Sequence, residues 1–222
     1  MAPDMLFNLL YKSLMQTLQM VAIAGLIGSA IGLPIGVFLA TSGKGELFPA
    51  PMANRIIGLI VNATRSTPFI ILVVAIIPFT RFVTGTSIGT YAAIVPLTIA
   101  TIPFFARLVE AAIREIDKGL IEAARAMGAT PLQIVFKVLL AEAKPAIILA
   151  LTMTMVSLIG YSAMVGAVGG GGLGDLGIRY GYQRFMPEVM LAVVVVLIVL
   201  VQIVQSAGDR LARSFDKRNR KN

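Results

Sequence analysis

Apolar residues run through this chain in long blocks, and the charges gather between the blocks. Residues 13–43, 82–106, 145–174 and 189–208 contain no charged side chain. A helix needs about 20 apolar residues to cross a hydrocarbon core, so each block is long enough to span a membrane. Residues 58–80 make a fifth candidate, with Arg65 near one end. The pattern predicts an all-α, polytopic transmembrane helical bundle of five spans. Residues 160–182 are too dense in glycine to be expected to hold a helix. An irregular loop is therefore expected at about residues 165–187.

Residues 115–144 break the pattern by carrying charge of both signs between two apolar blocks. Gly119 is expected to end whatever helix arrives there. Leu120, Ala123, Ala124 and Met127 then recur at i, i+3, i+4 and i+7, which marks one face of a short helix. Gly128 follows, the residue type that closes a helix in the left-handed conformation without a Cβ penalty. Thr130-Pro131-Leu132-Gln133 reads as a fresh start. Thr130 caps, Pro131 takes the first helical position, where an N–H is not needed, and Gln133 completes a capping box. The local prediction is a helix, a tight corner at Gly128–Ala129 and a second helix.

Composition agrees with the blocks. Of the 222 residues, 57% are hydrophobic and only 14% charged, against about 25% charged in soluble domains. A single membrane domain over residues 1–222 is expected. The absence of cysteine and histidine removes disulfides, thiolate metal sites and the usual general base. No catalytic residue, metal site or resident cofactor is therefore expected. The net charge of +8 comes without any Trp, and the cations lie between apolar runs, not on a stacking face, so nucleic acid is not an expected partner. All but Lys12, Arg81, Arg179 and Arg184 of the 19 lysines and arginines fall on one side if the 115–144 segment is cytoplasmic. The positive-inside rule then puts the N-terminus outside and the C-terminus in the cytoplasm. The first residues show no basic region followed by a small-residue cleavage site, so no cleaved signal peptide is expected.

Several smaller patterns carry two readings each. Arg65 either snorkels from a span end or faces a water-filled path. Tyr161, Ser162 and Met164 stand where helix is expected to give way to loop. They either line a gate or begin a connector, with Tyr180 and Tyr182 as interfacial anchors. Gly28, Gly32 and Gly36 form a small-residue stripe for close helix packing, and Pro34 among them predicts a kink. Gly169-x-Gly171-x-x-Gly174 matches a dinucleotide fingerprint but lacks the surrounding βαβ unit. Asn62-Ala63-Thr64 matches a glycosylation acceptor but lies in or beside a span.

Glu122-Ala123-Ala124, three residues and Gly128 resemble the EAA loop of ABC importer permeases, the cytoplasmic elbow that docks on the ATPase subunit. Val138 and Leu140 continue that pattern; Ala141 stands where the family has proline, with Pro145 nearby. The likeness extends over nearly the whole chain. Arg65-Ser66-Thr67-Pro68-Phe69-Ile70-Ile71-Leu72, Ile77-Pro78-Phe79-Thr80-Arg81, the 83–89 segment and Gly160-Tyr161-Ser162-Ala163-Met164 look like the permeases of bacterial methionine ABC importers. The resemblance implies a multi-pass protein of the bacterial inner membrane that translocates methionine, of L and D form, by alternating access. It implies two copies of the permease, two ATPase subunits, a periplasmic or lipid-anchored substrate-binding protein and surrounding lipid. ATP would bind the partner; no glycine run in this chain ends in Gly-Lys-Ser/Thr. Glu122, Ala123, Ala124, Gly128, Ala129, Thr130 and Pro131 would carry ATPase coupling, and Arg65, Tyr161, Ser162 and Met164 the pathway or gate. The alternatives are another small amino acid or related solute, a membrane scaffold, and an ion-coupled secondary transporter. The last would be expected to hold acidic groups at mid-membrane, whereas Glu110, Glu115 and Glu122 are at or beyond a span end.

Overall fold

The computed structural model describes residues 3–215; all regular structure among them is helical. In chain order these are α1 (Pro3–Thr41), α2 (Pro51–Ser66), α3 (Phe69–Ala75), α4 (Ile77–Thr84), α5 (Thr90–Arg114), α6 (Lys118–Ala126) and α7 (Pro131–Gln133). A π-helical turn, Ile134–Leu139, leads to α8 (Leu140–Glu142) and α9 (Lys144–Val165). A second π turn (Gly166–Gly170), α10 (Gly172–Leu176), a third π turn (Gly177–Tyr182) and α11 (Pro187–Phe215) complete the order. Lys217, Arg218, Arg220 and Lys221, counted above among the cytoplasmic cations, lie outside the described residues.

Helices α1, α5, α9 and α11 are long and apolar enough to cross a membrane. The expected fifth span, a single helix over residues 58–80, is corrected. α2 ends at Ser66, and the chain turns through 102° before α3. Pro68 is the cause. A proline drives the residue before it out of the α region, and Pro68 itself is extended at φ −55°, ψ 132°. Five spans are reached only if the bent pair α2–α3 counts as one.

The chain forms two compact units. One takes the residues up to Gly28, Thr67–Thr101 and Met153–Gln205; the other takes Ser29–Ser66, Ile102–Thr152 and the residues from Ser206. The first has a core of Met20, Ala24, Phe69, Leu97, Leu158 and Ile159. The second is centred on Phe105, Val109, Ile113, Ile134 and Leu139. The glycine stripe of α1 packs against α5 in both, as the small-residue spacing predicts. A Cβ on Gly28 would lie 2.5 Å from Thr101 Cγ2, and one on Gly36 2.5 Å from the Ala106 carbonyl oxygen. α1 continues through Pro34.

The expected irregular glycine loop is also corrected. Residues 160–182 are mostly helical, turning at Gly169–Gly172, where Gly169, Gly171 and Gly172 take φ of 93°, 81° and 77°. Glycine costs about 1 kcal/mol per residue in an isolated helix. Here tertiary contact offsets that cost. The Gly172 N–H donates to Gln16 Oε1 at 3.0 Å and the Leu173 N–H to Thr17 Oγ1 at 2.9 Å, so α1 caps α10. A Cβ on Gly166 would lie 2.5 Å from the Asp175 nitrogen. Only glycine permits these backbones to approach so closely.

Candidate functional site

The charged segment folds into an elbow. Asp117 caps α6, accepting from the Gly119 N–H at 2.8 Å. Gly119 therefore sits in the first turn of α6, not at a helix break as its residue type suggested. At the other end Gly128 takes φ 78°. Its N–H donates to the Arg125 carbonyl at 2.9 Å, and the Ala129 N–H donates to the Ala124 carbonyl at 3.0 Å. The next helix opens with the expected capping box. The Thr130 N–H donates to Gln133 Oε1 at 3.0 Å, the Gln133 N–H donates to Thr130 Oγ1 at 3.4 Å, and Pro131 occupies the first turn. Both sides of the corner are thus closed by local hydrogen bonds.

The second arm departs from a plain α-helix. Past Gln133 it widens into the π turn Ile134–Leu139. The i→i+5 spacing of such a turn aligns Ile134 with Leu139, and both are buried with Val135 in the core around Phe105 and Val109.

The periodic face of α6 is mostly open. Of Leu120, Ala123, Ala124 and Met127, only Ala124 is buried. Met127 is 81% exposed, and past the corner Leu132 and Phe136 are exposed as well, Phe136 at 67%. The elbow is anchored on one side and displays large apolar side chains on the other. Glu122 and Arg125 are exposed between them.

Arg107, Glu110 and Arg114 stand at i, i+3 and i+7 of α5. Glu110 is only 5% exposed. Arg107 pairs with one of its oxygens and Arg114 with the other, the latter at 2.8 Å. Arg107 Nη2 also donates to the Gly58 carbonyl of α2 at 3.0 Å. The carboxylate is thus the centre of a charge triad that ties α5 to α2. Arg114 borders a cleft of about 540 Å3 between the loop after α1 and α6. Lys44, Glu46, Lys118, Glu122 and Arg125 supply its other charged side chains. The spacing of the triad was legible in sequence, but the burial of Glu110 was not.

The four pathway candidates are divided between the two units. Arg65 is exposed in the last turn of α2, in the second unit. Tyr161, Ser162 and Met164 belong to the first unit and stand at the C-terminal end of α9, as expected, but that helix stops at Val165 and passes directly into the second π turn instead of a loop. The Tyr161 ring stacks on Phe69 with centroids 4.4 Å apart, a partner that nothing local in the sequence marks. Ser162 is buried and its hydroxyl donates to the Ile159 carbonyl at 2.7 Å. Met164 is 48% exposed. Met153 of α9 is exposed as well, and a Cβ on Gly160 of that helix would meet nothing within 4 Å.

Comparison with known proteins bears on the family and the fold. Residues 32–221 match the family described as binding-protein-dependent transport system inner membrane component. The probable D-methionine transport system permease protein of Vibrio cholerae is 57% identical over 211 residues, 95% of this chain and 94% of that protein. The methionine import system permease protein of Bacillus subtilis is 44% identical over 180 residues, 81% of each chain. Among solved structures, a chain of the MetNI methionine ABC transporter in an inward-facing conformation superposes with a TM-score of 0.94. It has 51% identity and covers 98% of this chain and 100% of its own.

Proposed function

This chain belongs to the family of binding-protein-dependent transport system inner membrane components, and from that premise we propose that it is the membrane-spanning permease subunit of an ATP-driven importer carrying methionine inward by alternating access. The elbow is the observation that carries this reading. A corner closed by hydrogen bonds on both arms, anchored by Ala124, Ile134 and Leu139, transmits a push without bending. Its uncovered Met127, Leu132 and Phe136 suit a partner's groove, since exposed apolar surface of this kind marks an interaction site.

ATP binds and is hydrolysed on two copies of that partner. Its closure moves Glu122, Ala123, Ala124, Gly128, Ala129, Thr130 and Pro131 as one piece, and the attached spans follow. The substrate shifts the inward–outward equilibrium only as far as it binds one state better, so a binding protein outside supplies the direction. The N-terminus is external and the C-terminus cytoplasmic, in the inner membrane of a bacterial cell. Two copies of the chain face each other across a two-fold axis. The open face of α9, with Met153, Gly160 and Met164, lies toward that axis. Met164 serves as the gate: methionine is apolar and adaptable and excludes water without holding a polar solute. Ser162, with its hydroxyl committed to the helix, positions that face, and Tyr161 stacked on Phe69 holds it against α3.

Uptake of labelled amino acids into proteoliposomes holding the full complex tests the reading. ATP-dependent accumulation of methionine, competed by unlabelled methionine of either hand, is the expected result. Preference for another amino acid would overturn the substrate. Accumulation driven by an ion gradient without ATP would overturn the class.

A further inference from the structure

The cleft beside α6 has features that transport of methionine does not use. We propose that it binds the phosphate group of an anionic phospholipid. This rests on the importer reading above, which sets the cleft at the cytoplasmic membrane surface. Four cations line it, Lys44, Arg114, Lys118 and Arg125, against two carboxylates, Glu46 and Glu122. Arg114 is already engaged by Glu110. Lys44, Lys118 and Arg125 have no carboxylate within ion-pair distance among the described residues, and neither Glu46 nor Glu122 is paired. The cleft therefore keeps a positive surplus that its own side chains do not neutralise.

Depth and shape select a lipid over a soluble anion. The cleft lies where two membrane helices stop, α1 at Thr41 and α5 at Arg114, which is headgroup level. Leu47, Ile113, Ile121 and Leu139 form an apolar wall beside the charges. A free phosphate has no use for that wall, whereas the glycerol and first methylenes of a lipid do. Its volume falls in the range of small-molecule sites, and basic pockets at the cytoplasmic ends of membrane helices suit anionic headgroups. A phosphate held here touches Lys44 on the loop after α1 and Lys118 and Arg125 on the elbow arm. It thereby ties the moving elbow to the membrane surface.

The test is native mass spectrometry of the complete complex, titrated with phosphatidylglycerol or phosphatidylcholine. Wild type is expected to retain phosphatidylglycerol selectively. Retention should fall about fivefold for each lysine removed in Lys44→Gln and Lys118→Gln, return with Lys44→Arg, and be unchanged in Lys12→Gln, which lies far along α1. Equal retention of the two lipids, or full retention by the Lys44→Gln/Lys118→Gln variant, would overturn the site. Displacement of the lipid by inorganic phosphate would overturn the choice of a lipid. Retention is read without transport. Lysine-dependent retention in a complex that moves no methionine removes the importer reading alone; methionine uptake without selective retention removes the lipid site alone.

Discussion

At the scale of single residues, two glycines with similar backbone angles do different work. Gly128 at φ 78° has nothing within 4 Å of where a Cβ would stand. Only its backbone conformation excludes other residues. Gly172 at φ 77° would also drive a Cβ to 2.6 Å from Thr17 Oγ1, so conformation and space both forbid a side chain. Gly128→Val should therefore cost roughly 1–2 kcal/mol, the penalty of a left-handed L-residue, with no steric addition. The variant should insert normally but open the corner between α6 and Pro131. ATPase association measured by co-purification should weaken, and transport-coupled hydrolysis should fall. Unchanged coupled hydrolysis would remove the elbow from the coupling path.

At the scale of elements, the α5 triad decides how α2 is held. Glu110 balances Arg107, whose other donor reaches the Gly58 carbonyl. Removing one partner of a buried charge pair costs about 3 kcal/mol because the other charge is left uncompensated. Glu110→Ala should lower the melting temperature of the detergent-solubilised protein, and Glu110→Gln should lower it less, because an amide oxygen still accepts from arginine. Adding Arg107→Met to Glu110→Ala should restore part of the loss. A double variant that melts no higher than Glu110→Ala would show that charge balance is not what this triad supplies. The α6 helix carries the complementary lesson. Its periodic face was legible, but periodicity alone could not say whether that face was for this chain's core or for a partner. The buried side is fixed by Ile134, Val135 and Leu139 on the far side of the corner.

At the scale of the whole molecule, the orientation and the gate proposed above each make a further prediction. Single cysteines replacing Lys118 should react only with membrane-permeant thiol reagents, and one replacing Asp175 should react with impermeant reagents applied outside intact cells. Labelling of the Lys118 position from outside would invert the topology. For the gate, Met164→Cys should form a disulfide between two copies in the absence of nucleotide. That link should block methionine uptake and diminish when ATP and the binding protein drive the outward-open state. Failure to cross-link in any state, with transport intact in Met164→Ala, would move Met164 out of the pathway.

The sequence by itself determined what depends on neighbours within a few positions. It placed the apolar blocks that became α1, α5, α9 and α11, the left-handed corner at Gly128 and the capping box of Thr130 and Gln133, because caps and helix turns join residues about four apart or fewer. The Gly28, Gly32 and Gly36 stripe was legible for the same reason: helical spacing puts them on one face. Tertiary structure alone decided the rest. Leu173 and Thr17 are 156 positions apart, and it is that hydrogen bond, with the one from Gly172 to Gln16, that caps a helix in a stretch whose glycine content argues against one. Phe69 under Tyr161, the burial of Glu110 and the exposure of Met127 likewise depend on which helices become neighbours. Local propensity is worth about a kilocalorie per mole per residue. Close packing and capping from distant residues match or exceed that, so wherever the two disagreed the distant contacts set the conformation.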